Sequence, residues 1–247
     1  MKTVRILLLS VTTTVSFAQA NYATVKIVPI KVADQIYMLK GSGGNIGVLI
    51  GSEGTLMIDN QFAPLSNKIN GAIKTLGPGE IKFALNTHVN GDHSGGNENF
   101  NGMGAVLVAH DNVRERMMKE QVNTRTNRST PPRGKAAWPL ITFGDKINFH
   151  LNGEDVILHH FDKGHTDGDV IVQFKNANVV HTGNAFVRYG YLFIDLLNGG
   201  SVNGFITTLD KVLSLIDDNT KVIPGHGEVA TKGDVKKVRD GVADIRD

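Results

Sequence analysis

The chain has 247 residues, 40% hydrophobic and 20% charged, with 26 Lys and Arg against 24 Asp and Glu. That composition suits a soluble globular protein, and the near balance of charge gives no reason to expect a polyanionic partner such as nucleic acid. There is no cysteine, which excludes disulfides, a thiolate metal ligand and a cysteine-borne lipid anchor.

In chain order, Lys2 and Arg5, the apolar stretch Ile6 to Phe17 and the small-residue site Ala18-Gln19-Ala20 predict a cleavable secretory signal over residues 1–20. Its removal leaves basic and acidic residues equal in number, and the expected location is the periplasm or the exterior. Residues 21–247 are then expected to form one domain. No later stretch is long enough to cross a bilayer.

Strands are predicted at 24–31, 34–39, 46–50 and 55–59, with a turn at Gly41-Ser42-Gly43-Gly44-Asn45. That turn lacks the lysine-hydroxyl ending of a phosphate cradle, and strands rather than a helix follow it. Leu65, Ile69, Ala72, Ile73 and Leu76 recur at helical spacing, so 64–76 reads as an amphipathic helix stopped by Gly77 and Pro78. Strands at 81–87 and 105–109 bracket a polar loop. A polar helix over about 110–121 follows, then a long loop at 122–137 containing Pro131-Pro132. Further strands are predicted near 140–150, 154–161, 169–175 and 177–182. Ser201 is placed to cap a helix with Val202, Phe205, Ile206, Leu209, Val212, Leu213 and Ile216 on its apolar face. A short strand at 221–224 and a helix at 231–246 complete the chain. The order of elements suits two sheets packed face to face with helices outside, an α+β arrangement, whereas periodicity alone gives only a mixed α and β fold.

The densest chemistry lies in Thr87-His88-Val89-Asn90-Gly91-Asp92-His93-Ser94-Gly95-Gly96-Asn97, directly after an apolar strand. His88, Asp92 and His93 leave one glycine-containing loop. His165, in Gly164-His165-Thr166-Asp167-Gly168-Asp169, and His226, in Pro224-Gly225-His226-Gly227, stand in similar strand-to-loop settings. Imidazole and carboxylate donors suit zinc, and loops at several strand ends can converge on one ion.

In order and spacing these residues resemble the metallo-β-lactamase superfamily, over roughly residues 33 to 230. Its signature is H-x-H-x-D-H, then a glycine-histidine, an aspartate after a further strand, and a late histidine. The resemblance implies a four-layer αββα sandwich. It also implies a first metal position at His88, Asn90 and His165, and a second at Asp92, His93 and His226. Two positions depart from the pattern: Asn90 replaces the middle histidine, and Asn184 replaces the aspartate that bridges both metals. An amide oxygen is a poor zinc ligand beside imidazole or carboxylate. One tightly bound Zn²⁺ is therefore expected at Asp92, His93 and His226, with the second weak or absent.

The activity expected from the resemblance is metal-dependent hydrolysis of a small ester, lactone or cyclic amide, possibly β-lactam-like. Asp92 would orient water, and His88 or His165 would act as general base. The alternative is a binding or regulatory protein on the same scaffold with a disabled metal site. Asp59 matches a position that orients the metal loop, and reads equally as a turn aspartate. The Gly41–Asn45 hairpin is expected to overhang the site. Loops at 122–137 and 185–200 are expected to form other walls, with Trp138, Tyr189, Tyr191 and Phe193 as candidate lining. The basic cluster from Arg114 to Lys135 reads as a solvated face or as an attractor of anionic substrate. His110, His150, His159, His160 and His181 read as structural.

Overall fold

The computed structural model describes residues 21–123, 128–189 and 192–247. The segment expected to be a signal, residues 1–20, and Tyr191 lie outside the described residues. No described helix is long and apolar enough to cross a membrane.

Seven strands form the first sheet, in the order β1-β2-β3-β4-β5-β6-β9. They are β1 (Val28–Lys31), β2 (Ile36–Lys40), β3 (Ile46–Leu49), β4 (Thr55–Ile58), β5 (Ile81–Leu85), β6 (Val106–His110) and β9 (Ile141–Phe143). The first four run antiparallel, whereas β4, β5, β6 and β9 are parallel. The second sheet holds β10 (Lys146–Leu151), β11 (Glu154–His159), β12 (Ile171–Phe174), β13 (Val179–His181) and β14 (Lys221–Ile223), and its last pair is parallel. A separate hairpin, β7 (Gln121–Asn123) with β8 (Arg128–Thr130), stands apart from both sheets.

Strand alternation sorts the apolar side chains into three layers of contact. Met38, Leu56, Ile58, Leu85 and Val108 of the first sheet meet Val156, Leu158, Val172, Phe174 and Ile223 of the second. Leu39, Val48, Met57 and Leu107 point the other way, onto Ile69 and Ile73 of α1 (Ser66–Lys74) and Phe100 of α3 (Asn97–Gly102). On the far side Ile171, Val180 and Val222 pack under Phe205, Leu209 and Val212 of α5 (Val202–Leu215) and Val235 and Val242 of α6 (Lys232–Arg246). This is the expected four-layer αββα sandwich. Ser201 caps α5 as expected, its Oγ accepting from the Gly204 N–H at 3.3 Å.

Several local expectations need correction. The strand predicted at 140–150 is two strands, one in each sheet, because the chain crosses between them at Gly144-Asp145. The expected strand at 24–31 begins only at Val28, since Asn21 accepts from the Ala23 N–H at 3.1 Å and starts a 3-10 turn over Tyr22–Thr24. The polar loop after β5 contains two short helices, α2 (Gly91–Ser94) and α3. The β7-β8 hairpin occupies part of the segment predicted as loop at 122–137. The polar helix is α4 (Asp111–Met118), shorter than the predicted 110–121.

Candidate metal centre

The parallel strands fix where the site forms. β4 and β5 end at Ile58 and Leu85, and β13 and β14 at His181 and Ile223. The residues that follow, Asp59 to Gln61, Asn86 to His88, Thr182 to Asn184 and Pro224 to His226, leave the carboxyl ends of those strands, the usual place for ligand loops. Bonds between the halves draw the loops together. Val170 N–H donates to Thr87 O at 2.8 Å and Asn45 N–H to Gly225 O at 2.7 Å. The Asn45 side-chain amide donates to Pro224 O and Gly227 O, each at 2.9 Å.

Asp59 is the organiser of the first half. It sits at φ +62°, in the left-handed region that a non-glycine residue enters at a cost of about 1 kcal/mol or more. Its buried carboxylate accepts from Thr87 N–H, Thr87 Oγ1 and His93 Nδ1, all at 2.7 Å. The orienting reading of Asp59 therefore holds over the turn reading. Because the Thr87 hydroxyl gives its proton to Asp59, its lone pair is left to accept from His88 Nδ1 at 3.0 Å. His88 thus carries its proton on Nδ1, and its buried Nε2 has no hydrogen-bond partner.

The other ligand candidates converge on the same point. His226 Nε2 lies 3.2 Å from both His93 Nε2 and Asp92 Oδ2, and Asp92 Oδ2 lies 3.6 Å from His93 Nε2. His165 donates from Nδ1 to Phe193 O at 2.7 Å. Its Nε2 faces the amide nitrogens of Asn90 at 3.1 Å and Asn184 at 3.4 Å. Four imidazoles form a chain, with ring centroids 4.7 Å apart for His165 and His88, 4.2 Å for His88 and His93, and 5.1 Å for His93 and His226.

The electrostatics follow from burial and neighbours. Burial, then the adjacent imidazoles of His93, His165 and His226, hold His88 well below the ordinary histidine range. Burial pulls His93 down too, but the charge and hydrogen bond of Asp59 outweigh it and raise the group. For Asp92, burial pushes upward, while the His226 hydrogen bond and the His93 and His226 charges bring it below the usual carboxylate range.

The donors suit a divalent ion. One carboxylate oxygen and two imidazole nitrogens from Asp92, His93 and His226 all lie within 4.8 Å of one another. That is the usual protein complement of a zinc with an open position, and the residues fit. Asp59, His88 and His93 also cluster, but the Asp59 oxygens are consumed by Thr87 and His93, so this is not a second independent position. The expected set of His88, Asn90 and His165 offers two imidazoles and an amide that already engages His165. Asn184 lies against both His165 and His93, between the two sets.

A pocket of about 270 Å³ opens over this cluster, lined by Asn90, Asp92, Asn184, Val187, Tyr189, Phe193 and His226. The glycine hairpin, expected to overhang the site, packs against the cluster instead: Gly44 N–H donates to Asp92 O at 3.0 Å, and residues 41–45 are not among the pocket's lining. A side chain at Gly44 would lie 2.1 Å from the His93 ring, and a side chain at Gly225 would strike Asn184 Oδ1 at 2.2 Å. Tyr189 meets the His226 ring edge-on at 5.1 Å. Trp138 is not in the wall. It packs against Val89, Ala109, Val113 and Met117, and its Nε1 donates to Arg133 O. Among the described side chains of the basic cluster, Arg116 is spent on Asp167, Lys119 on Glu115, and Arg133 on Ser94 and Val89 O. Arg114, Arg116 and Arg133 are half-buried and bonded within the fold, so at those positions the cluster is neither a solvated face nor an attractor of anions. His159 pairs with Gln173, His160 with Asp169 O, His150 with Asp155 and His181 with Asn45 O, all outside the centre. Sequence reasoning missed Thr87 and the Phe193 carbonyl, whose roles are set by tertiary hydrogen bonds alone.

Comparison with known proteins gives the family and the fold. The sequence model of the metallo-beta-lactamase superfamily matches residues 39–226. The human acyl-coenzyme A thioesterase MBLAC2 is 26% identical over 160 residues, which are 58% of this chain and 55% of that protein. The metallo-beta-lactamase IND-1 of Chryseobacterium indologenes is 25% identical over 150 residues, 61% of this chain and 57% of that one. An uncharacterised Mycobacterium tuberculosis protein is 35% identical over 95 residues, and the chain spans 41% of its length. Among solved structures, the DIM-1 metallo-beta-lactamase superposes with a TM-score of 0.72 at 16% identity, covering 90% of this chain and 99% of that one.

Proposed function

The chain belongs to the metallo-β-lactamase superfamily, and on that footing we propose that it is a zinc-dependent hydrolase of a small acyl substrate, an ester, thioester, lactone or cyclic amide. One observation carries the reading: the ligand atoms of Asp92, His93 and His226 meet at the floor of an open pocket. A relative named as a thioesterase and another named as a β-lactamase both support an acyl carbonyl as the reacting group.

Zinc held by Asp92, His93 and His226 would supply Lewis acidity, polarising a carbonyl and acidifying water. The chain's own groups do the rest. Asp59 fixes His93 with its Nε2 toward the pocket. Asp92, kept ionised, accepts a hydrogen bond from water and orients it. His88 is held so far below the usual histidine range that it is a poor proton acceptor. His165, braced at Nδ1 by Phe193 O, is the remaining general base, and its Nε2 must exchange the Asn90 and Asn184 amides for the attacking water. Asn90 and Asn184 leave the first position with two imidazoles, so one metal per chain is expected to survive dialysis.

The test is metal content by elemental analysis with a panel of p-nitrophenyl esters, thioesters and β-lactams. One zinc per chain and zinc-dependent turnover support the proposal. Zinc-free protein that turns over nothing when zinc is supplied would replace it with the binding-protein reading. Residues 1–20 are proposed to direct export, and mass spectrometry of the exported protein should find Asn21 at its N-terminus.

A further inference from the structure

A large apolar groove adjoins the metal centre. Its volume is about 700 Å³, and it runs between α5, α6 and the loop after β13. Val202 from α5, Leu192 and Ile194 from the loop, and Val238, Val242 and Ile245 from α6 make its walls. Val187 and Tyr189 belong to both the groove and the pocket over Asp92 and His226. The two spaces therefore share a wall, and Tyr189 stands between the His226 ring and the groove.

Gly241 supplies an independent observation. It lies inside α6, where glycine costs about 1 kcal/mol relative to alanine. Nothing stands within 4 Å of where its side chain would be, and it lines the groove. Close packing does not demand this glycine. Its effect is to keep that wall of the groove low.

Resting on the hydrolase reading above, we propose that the groove binds an unbranched alkyl chain attached to one side of the scissile carbonyl. The carbonyl sits over Asp92 and His226, and the chain passes Val187 and Tyr189 to lie along α6. The groove is apolar along its length, with Lys237 and Arg246 among its few polar lining groups. It offers no array of donors for a peptide backbone or a sugar, and burial of methylenes is the interaction it can provide. The chain can belong to the acyl part or to the alcohol part of the substrate, and the two have different consequences in the test.

Two ester series separate these sources: p-nitrophenyl esters from acetate to dodecanoate, and acetate esters of alcohols of rising length. In one series kcat/KM should rise by up to about fourfold per methylene, the limit for full burial, until the groove is spanned. Gly241→Leu favours the helix and fills the groove, so in whichever series rises it should cut the preference for the ten-carbon over the two-carbon chain at least tenfold. Gly71→Leu, at an open helical position on α1, should leave that preference intact. Calorimetric binding of decanoate provides a readout independent of turnover. Decanoate binding that is lost in Gly241→Leu sustains the groove even if no ester is cleaved, in which case the hydrolase reading alone fails. Turnover that is flat in both series, with no decanoate binding, overturns the groove and leaves the hydrolase reading standing. A dimer that dissociates on Ile245→Lys, together with flat profiles, also overturns it and gives the face to a second copy.

Discussion

At the scale of single residues, the two asparagines differ in what they withhold. Asn90 offers an amide where the first position needs a nitrogen lone pair, and its nitrogen engages His165 Nε2 at 3.1 Å. Asn184 brings a second amide nitrogen to the same atom at 3.4 Å, and lacks the charge that would offset two cations. Either amide alone keeps His165 engaged, so the repairs should be non-additive. Asn90→His alone leaves Asn184 against His165, and Asn184→Asp alone leaves Asn90 there. The double variant should raise zinc from one per chain toward two, with a gain in ester turnover larger than the product of the single effects. Elemental analysis of all four proteins reads this directly, and a second zinc in either single variant would contradict it. The convergence of His88, Asp92, His93, His165 and His226 was legible because each residue follows a recognisable strand. Thr87 was not legible, because a threonine after a strand is ordinary until Asp59 is seen beside it.

At the scale of elements, apolar runs told where strands lie but not which sheet they join. Residues 140–150 read as one strand because alternation continues through the crossing, and only Gly144-Asp145 marks the change. Residues 91–102, which hold α2 and α3, carry seven glycine or asparagine residues and too few apolar ones for a period. Asp59, Asn60 and Asn97 instead hold them by buried polar contacts, including Asn60 Nδ2 to Asn97 Oδ1 at 2.6 Å. Helix α4 yields a pH prediction. His110 is its N-cap, with Nδ1 accepting from Asn112 N–H at 3.2 Å. Burial, then the stacked His160 ring 3.9 Å away, lowers His110 to about 4. The unfolded chain takes up this proton near pH 6.5 and the folded protein only near pH 4, so between those values the unfolded state binds more protons. Stability from this group is complete above pH 6.5 and is lost as pH falls, on the order of 3 kcal/mol in the limit. His110→Asn retains a good cap without the titration. Urea unfolding at pH 7 and pH 5 should show a smaller loss in the variant, and an unchanged loss would remove His110 as a cause.

At the scale of the whole molecule, the proposed zinc joins the two halves. Asp92 and His93 follow β5 of the first sheet, and His226 follows β14 of the second. The inter-sheet core is apolar and non-directional, whereas this contact is polar and sits at one rim of the sandwich. A ligand that binds only the folded state stabilises it by about 2.7 kcal/mol at a hundredfold excess over Kd. For a domain of this size that is roughly 5 to 10 °C in Tm. Zinc added to dialysed, chelator-treated protein should therefore raise Tm by that amount in a calorimetric scan. Asp92→Ala removes the ligand from one half and His226→Ala from the other, so each should abolish the shift. His88→Ala should lower the starting Tm by opening a cavity beside His93, yet keep the zinc-induced rise, because His88 is not one of the three donors that meet at Asp92, His93 and His226. The rise is the informative quantity, since all three variants change the baseline. A rise lost equally in all three would mean that His88 shares the same ion, and the two positions would then have to be redrawn as one.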